Sequence, residues 1–331
     1  MKVCVVIVTY ANRFHLLRQV VDSLVEQQIT KIIIVDNNSV KESYKRLKRL
    51  EDLFKNRLKV IYLSENTGSA GGYKRGLQEA NNCEDCEFIW LLDDDNKPEK
   101  DALNILINAW DRVKEKHKKR RIALLSLRED RKQYVMVAQG ESAEKWFGRK
   151  NSFLGFDLLA LPSKISNKTW IRKKKNTKKY IDKTVVPYAP YGGLFFNREL
   201  LQETGYPKEK FFLYGDDHEF THRVSQKGGR IFLVPNSKIR DIDTSWHLKD
   251  KRGQLKTFLS GEGSRVYYTI RNRVFFEKNS LSTNKFAYNV NKFVYLKLLW
   301  CLSRSKGKKD MYSLIIRAVT DGLEGQLGRS L

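Results

Sequence analysis

The chain has 331 residues, 41% hydrophobic and 11% aromatic, which is enough for one large α/β domain with appendages or for two domains and excludes wholesale disorder. Its 63 lysines and arginines against 38 aspartates and glutamates leave a formal net charge of +25, and such an excess points to an anionic partner: nucleic acid, an anionic membrane surface or phosphorylated small molecules. No apolar run approaches the ~18 residues of a membrane span, and MKVCVVIVTY carries no signal-peptide pattern, so a cytoplasmic location is expected.

Val3 to Thr9 is β-branched and apolar and reads as a buried parallel strand, followed by helical spacing from Asn12 to Gln28. A second strand, Lys31 to Val35, ends at Asp36-Asn37-Asn38-Ser39. A helix over Val40 to Asn56 then leads into strand Leu58 to Leu63. The order β-α-β-α-β predicts a Rossmann-like, mostly parallel central sheet with helices on both faces. Asn66 to Gly76 reads as a glycine-rich loop that lets backbone approach a ligand, with Lys74 and Arg75 beside it and a helix from Tyr73 to Ala80 after it. It fits neither a GxGxxG nor a Walker pattern, and a tight turn explains it equally well. Cys83 and Cys86 read as part of an ordinary surface turn, because four cysteines, with Cys4 and Cys301, make neither a disulfide framework nor a four-ligand zinc site.

Strand Phe88 to Leu92 then delivers Asp93, Asp94 and Asp95, where a parallel sheet opens its crevice. Three adjacent carboxylates raise one another's pKa unless a cation shares them, and a hard divalent metal is the simplest such cation. Taken alone, the triplet reads first as a solvated acidic turn and only second as a metal site. Pro98 is expected to start a helix, Ile122 to Leu127 is a further strand, and Arg128 to Lys183 loses its pattern and holds the basic run Arg172 to Lys179. Val185 to Asn197 reads as a strand region, Glu199 to Gly205 as a short helix, and Asp216 and Asp217 lie at the start of a helix running toward Gly228. There they either complement the helix dipole or face the crevice as proton acceptors. Ile231 to Val234 is a late strand, and Trp246-His247 follows in a polar segment. From Gly263 onward the chain is basic, aromatic and helical, as in interfacial helices.

VVIVTYANR (Val5 to Arg13), VDNNS (Val35 to Ser39), SENTGSAGGYKRG (Ser64 to Gly76), WLLDDDN (Trp90 to Asn96) and YGDDHEF (Tyr214 to Phe220) together resemble the family 2 glycosyltransferases with the GT-A fold. RVYYTIRN (Arg265 to Asn272) and DGLEGQLG (Asp321 to Gly328) are similar to the C-terminal segment of the bacterial polysaccharide members. The resemblance implies a catalytic domain over 1–250, with a nucleotide-binding half 1–127, an irregular insertion 128–184 and an acceptor half 185–250, and then a membrane-associating helical region 251–331. It implies that Asp36 holds the nucleobase, that Thr9, Tyr10 and Arg13 line the nucleotide pocket, and that Asn66 and Gly68 lie near ribose and diphosphate. Asp93, Asp95 and His247 would ligate manganese or magnesium and Asp94 would touch the donor. Asp217 would be the base of an inverting displacement, with Asp216 and Trp246 toward the acceptor. Gly215 ahead of the acidic pair departs from many relatives and bears on which aspartate is the base.

Within the family, the glycine pattern and Trp246-His247 are closest to galactofuranosyltransferases, which implies a UDP-galactofuranose donor, with rhamnosyltransferases using dTDP-rhamnose next. A saccharide or lipid-linked saccharide acceptor at an anionic inner membrane surface would account for the charge, with no specific nucleic acid as partner. A nucleotidyltransferase should place a lysine-rich loop near the N-terminus, where only Asn12 and Arg13 stand, and a basic nucleic-acid binder has no use for the ordered acidic motifs.

Overall fold

Val3–Thr9 (β1) is buried along almost its whole length, as a β-branched strand covered on both faces must be. In a computed structural model describing residues 1–160, 179–181, 184–243 and 253–330, β1 pairs in parallel with β2 (Lys31–Asp36) and with β4 (Phe88–Asp93), and β2 pairs in parallel with β3 (Leu58–Tyr62). The crossovers are α1 (Phe14–Val25), α2 (Lys41–Leu53) and α3 (Gly68–Asn82). The remaining strands are β5 (Asn96–Pro98), β6 (Ile122–Arg128), β7 (Thr184–Val186), β8 (Leu194–Asn197) and β9 (Arg230–Asp241). Among the described residues they make one nine-stranded sheet of order β3-β2-β1-β4-β8-β6-β9-β5, with β7 on β9. Parallel pairing covers β1 to β4 and the β6–β9 pair, while β8 runs antiparallel to both β4 and β6.

Helices cover both faces, and strand alternation sorts their contacts. Val3, Val5, Ile7 and Ile34 join the apolar core with α1 and α4 (Ala102–Lys114). On the opposite face, a Cβ at Gly72 would meet Val8 and one at Gly76 would meet Val6 and Val35. The glycine-rich stretch, read as a ligand loop or a tight turn ahead of a helix from Tyr73, is instead largely helical, since α3 begins at Gly68, and Gly72 and Gly76 let that helix lie close on the sheet. Pro98 likewise ends a short strand, and α4 begins only at Ala102.

Chain order reverses between β1 and β4, with β2 and β3 built outward on one side and β8 and β6 on the other. A crevice forms outside the carboxyl ends of strands at such a switch point. Thr9 and Asp36 are register partners there, and Val8 pairs with Asp93. The far wall comes from β9, which is three times the length expected because Pro235 to Ser237 loop out of register and pairing resumes at Lys238. Pro235-Asn236 carries a turn signature, which concealed the continuation.

By their described residues, the contacts divide the chain into two units, Met1–Glu141 with Tyr180–Ser245, and Ser142–Lys179 with Trp246–Leu331. The first also holds α5 (Lys132–Ala138) and α6 (Asp216–Gln226). The second packs α7 (Gln254–Ser260), α8 (Gly263–Phe276), α9 (Lys285–Ser305) and α10 (Lys309–Glu324). Within it the buried Arg271 lies over the rings of Tyr267 and Tyr268 and donates to the Gly328 carbonyl (2.7 Å), so the two motifs of the C-terminal resemblance meet. Along α9, Phe286, Phe293, Lys297, Trp300 and Arg304 share one stripe, and Phe286 and Phe293 are 78% and 63% exposed. No helix among the described residues is long and apolar enough to cross a membrane.

Candidate functional site

The aspartate triplet turns off the end of β4 and is held by its own neighbours. Asn96, fully buried, accepts from the Asp93 backbone N–H (3.1 Å) and donates to Asp95 (3.1 Å) and Asp241 (2.9 Å). Arg13, at the N-terminus of α1, donates from Nε to Asp94 (2.9 Å), from Nη2 to Asp95 (2.8 Å) and from Nη1 to Asp243 (3.3 Å). Thr9 adds a hydroxyl donor to Asp94 at 2.8 Å. Both Asp94 oxygens thus carry a donor from within the protein, and its side chain is 4% exposed against 39% for Asp93. Burial pushes Asp94 up to about 6 even with Arg13 and Thr9 opposing it, and burial with Asp93 and Asp94 nearby pushes Asp95 to about 7. The crowding of carboxylates expected from DDD is present, and Arg13 offsets part of it.

Asp93 has a different environment. Tyr73 of α3 donates to its Oδ1 at 2.7 Å, and Arg128 at the end of β6 lies 3.8 Å from its Oδ2. Arg128 also bonds Asp241, which accepts from Arg131 at 2.8 Å. A Cβ at Gly192 would press on Asn96, Asp93 and Arg128, so the glycine that precedes β8 leaves room for this junction.

Asp216 and Asp217 open α6 after a loop in which Phe212, Tyr214 and Gly215 all take positive φ, of 63°, 65° and 76°. Two non-glycine residues in that region store on the order of 1–3 kcal/mol each, so the surroundings must hold them there. The start of α3 does so. Phe212 places its carbonyl over Gly68, where φ is +73° and no Cβ would fit, and accepts from the Ala70 N–H (3.2 Å). Ser69 donates to both oxygens of Asp216 (3.0 and 2.9 Å). Asp216 is 2% exposed, whereas the Asp217 side chain is 24% exposed and accepts the His218 N–H at 2.8 Å. Burial raises both carboxyls; Asp217 is pushed up to about 7, with Asp93 raising it and Arg128 opposing. Asp217 therefore belongs to the same electrostatic group as the triplet.

Asp36, 2% exposed, accepts the Ser39 N–H at 3.0 Å, and Tyr10 is 42% exposed with Arg13 over its ring at 5.5 Å. Asn66 and Gly68 are tied together through Asn37, whose amide donates to the Gly68 carbonyl at 2.8 Å and to Asn66 at 3.2 Å. Lys74, expected beside a ligand, is engaged with Glu209 at 2.6 Å. Trp246 and His247 lie outside the described residues. Sequence reasoning missed Asn37, Ser69, Tyr73, Asn96, Arg128 and Asp241. Only Arg128 carries a signal, an arginine ending an apolar strand one residue beyond the expected Leu127.

Cys86 does not belong to a surface turn: it is fully buried and disulfide-bonded to Cys4, and Cys83 is a partly buried free thiol.

Residues 4–116 match the family model described as Glycosyl transferase family 2, which spans β1 through α4 and contains the aspartate triplet. No curated protein matches the chain. Among solved structures, GalNAc-T7 with UDP, GalNAc and Mn2+ is similar at 20% identity and a TM-score of 0.54, over 83% of this chain and 47% of that one. The mannosyltransferase PcManGT from Pyrobaculum calidifontis, in complex with GDP-Man and Mn2+, is similar at 16% identity and a TM-score of 0.50, over 97% and 87%. These likenesses establish the GT-A fold, and the chain spans about half the length of the GalNAc-T7 chain.

Proposed function

We propose that this chain, with its glycosyl transferase family 2 domain at residues 4–116, is an inverting glycosyltransferase that moves a sugar from a nucleotide donor to a saccharide or lipid-linked saccharide hydroxyl. The observation that carries this reading is that α3 holds both acidic groups, Ser69 bonding Asp216 and Tyr73, one turn further on, bonding Asp93, with Asp93 among the groups that raise the adjoining Asp217 to about 7. A general base works best with a pKa close to the operating pH. Asp217, the more open of the acidic pair, takes the acceptor proton, and Ser69 holds Asp216 beside it. Asp36, Asn66, Gly68 and Tyr10 line the nucleotide side, Arg13 is oriented by Asp94, and the resemblance assigns Trp246 to the acceptor.

Asp93 and Asp95 are hard oxygen donors, partly open and not fully neutralised by Arg13, which suits a divalent ion, with His247 as a further ligand. When bound, manganese or magnesium would neutralise the charge that builds on the leaving diphosphate. Arg13 holds Asp95 at 2.8 Å, so an ion held there would have to share that carboxylate with the guanidinium.

Gly72 and Gly76 are accounted for by packing, so the donor sugar rests on Trp246-His247; UDP-galactofuranose is the first donor to test and dTDP-rhamnose the second. The test is a panel of nucleotide sugars assayed for metal-dependent hydrolysis and thermal stabilisation, with Asp217→Asn alongside. Asp217→Asn should lower turnover by roughly 10²–10⁴-fold while donor stabilisation persists. No sugar nucleotide acting on the natural chain would overturn the reading.

A further inference from the structure

Three of the four cysteines, Cys83 and Cys86 from one turn and Cys4 from the start of the chain, bring their sulfurs within 4.8 Å of one another at the opposite end of β1 from the acidic site. Cys4 enters from the start of β1, Cys83 follows α3 directly, and Cys86 sits in the turn before β4, its N–H bonded to the Cys83 carbonyl at 3.0 Å. Cys4 and Cys86 are joined and both are fully buried. A dissolved thiol cannot reach either sulfur without opening the sheet. Cys83 is partly exposed, adjoins both, and has the Lys31 ammonium 3.9 Å from its sulfur.

We propose that Cys83 is the exchange thiol through which the buried Cys4–Cys86 disulfide is reduced and reformed, making the three a thiol-modification site served by an external small-molecule thiol or dithiol. Cys83 loses its proton and its sulfur attacks the Cys86 sulfur. The Cys4–Cys86 bond breaks, a Cys83–Cys86 bond forms, and Cys4 leaves with the electron pair and takes up a proton. The freed Cys4 thiol has an acceptor, the Asp85 carbonyl at 3.7 Å. An external thiolate then attacks Cys83, releases Cys86 as a thiol and leaves a mixed disulfide on Cys83, which a second external thiol resolves. Two external thiols become one disulfide, and the protein gains two thiols. A three-thiolate metal site is the competing use of the cluster, but thiolates joined in a disulfide cannot ligate.

The experiment is non-reducing peptide mapping of the full chain after rapid alkylation, during timed exposure to graded reduced and oxidised glutathione. We expect Cys4–Cys86 in the oxidised chain, a transient Cys83–Cys86 or Cys83–glutathione species, and reduction of Cys4–Cys86 slowed at least roughly tenfold in Cys83→Ser. Cys301→Ser, which changes the exposed cysteine, should reduce at the natural rate. Three free thiols under oxidising glutathione, unchanged kinetics in Cys83→Ser, or stoichiometric zinc in the purified chain would each overturn the proposal.

Discussion

A guanidinium that is 6% exposed must be neutralised by groups within reach, and Arg128 meets Asp241 and Asp93, while its charge also holds down the Asp217 pKa. Arg128→Met leaves both carboxylates short of a partner, and unfolding free energy should fall by roughly 3 kcal/mol in urea titration. A loss below 1 kcal/mol would show that Arg131 alone satisfies Asp241. Asp216 makes a pH prediction. Burial and Asp217 raise its pKa above the unfolded value of about 3.9, so the folded chain holds a proton that the unfolded chain gives up. Its contribution is neutral below about pH 4 and becomes increasingly destabilising as pH climbs toward and through the folded pKa. Asp216→Asn keeps an acceptor for Ser69 and removes that ionisation. Its stability advantage over the natural chain should therefore grow by at least about 1 kcal/mol between pH 5 and pH 8, and a difference that stays flat would mean Asp216 titrates normally. The types of these residues were readable in the chain, but their partners were not, because the ion pairs of Arg13 with Asp94 and Asp95 and of Arg128 with Asp241 join segments more than 80 residues apart.

At the scale of elements, α3 both packs the sheet and supports the loop that positions the acid pair. Gly72→Ala would set a Cβ 2.6 Å from a Val8 methyl. Overpacking of 1–3 kcal/mol against about 1 kcal/mol of gained helix propensity leaves a net loss on the order of 1 kcal/mol. Gly68→Ala carries both the positive-φ cost and the Phe212 carbonyl, so it should lose roughly 3 kcal/mol or more and displace Asp216 and Asp217. Gly155→Ala, with φ +75° and nothing within 4 Å of the added atom, isolates the backbone cost at about 1 kcal/mol. Urea midpoints for the three variants give the comparison, and equal losses would remove the packing argument. Strands β1, β2, β3, β4 and β6 and helices α1, α2 and α6 were legible from periodicity within a few residues. The glycines misled because a glycine admits close backbone approach to a ligand and to a neighbouring strand alike.

For the whole molecule, the charge of +25 and the exposed stripe of α9 bear on the expected membrane association. Lys297 lies 5.8 Å from the Phe293 ring centre and 5.4 Å from that of Trp300, and Arg304 lies 4.6 Å from Trp300. Aromatics flanked by cations are suited to the head-group layer of an anionic bilayer, where each basic residue contributes on the order of 1 kcal/mol. Phe293→Ser with Trp300→Ser should weaken flotation with phosphatidylserine vesicles by roughly tenfold or more, and raised salt should weaken binding of the natural chain. Equal flotation of the variant would remove α9 from the interaction.

What the sequence by itself determined is what short-range physics writes into it: the alternation and 3.6-residue periods that make a GT-A sheet and its helices, the aspartates at a strand end, and a net charge of +25. The tertiary structure decided the rest, because it depends on contacts between distant segments. Those contacts put Arg13 on the aspartate triplet, carried β9 past Pro235 to bring Asp241 under Asn96, seated Phe212 on Gly68, and joined Cys4 to Cys86. A backbone period repeats every two to four residues and can be read locally, whereas a side chain's partner is chosen only when the chain closes on itself.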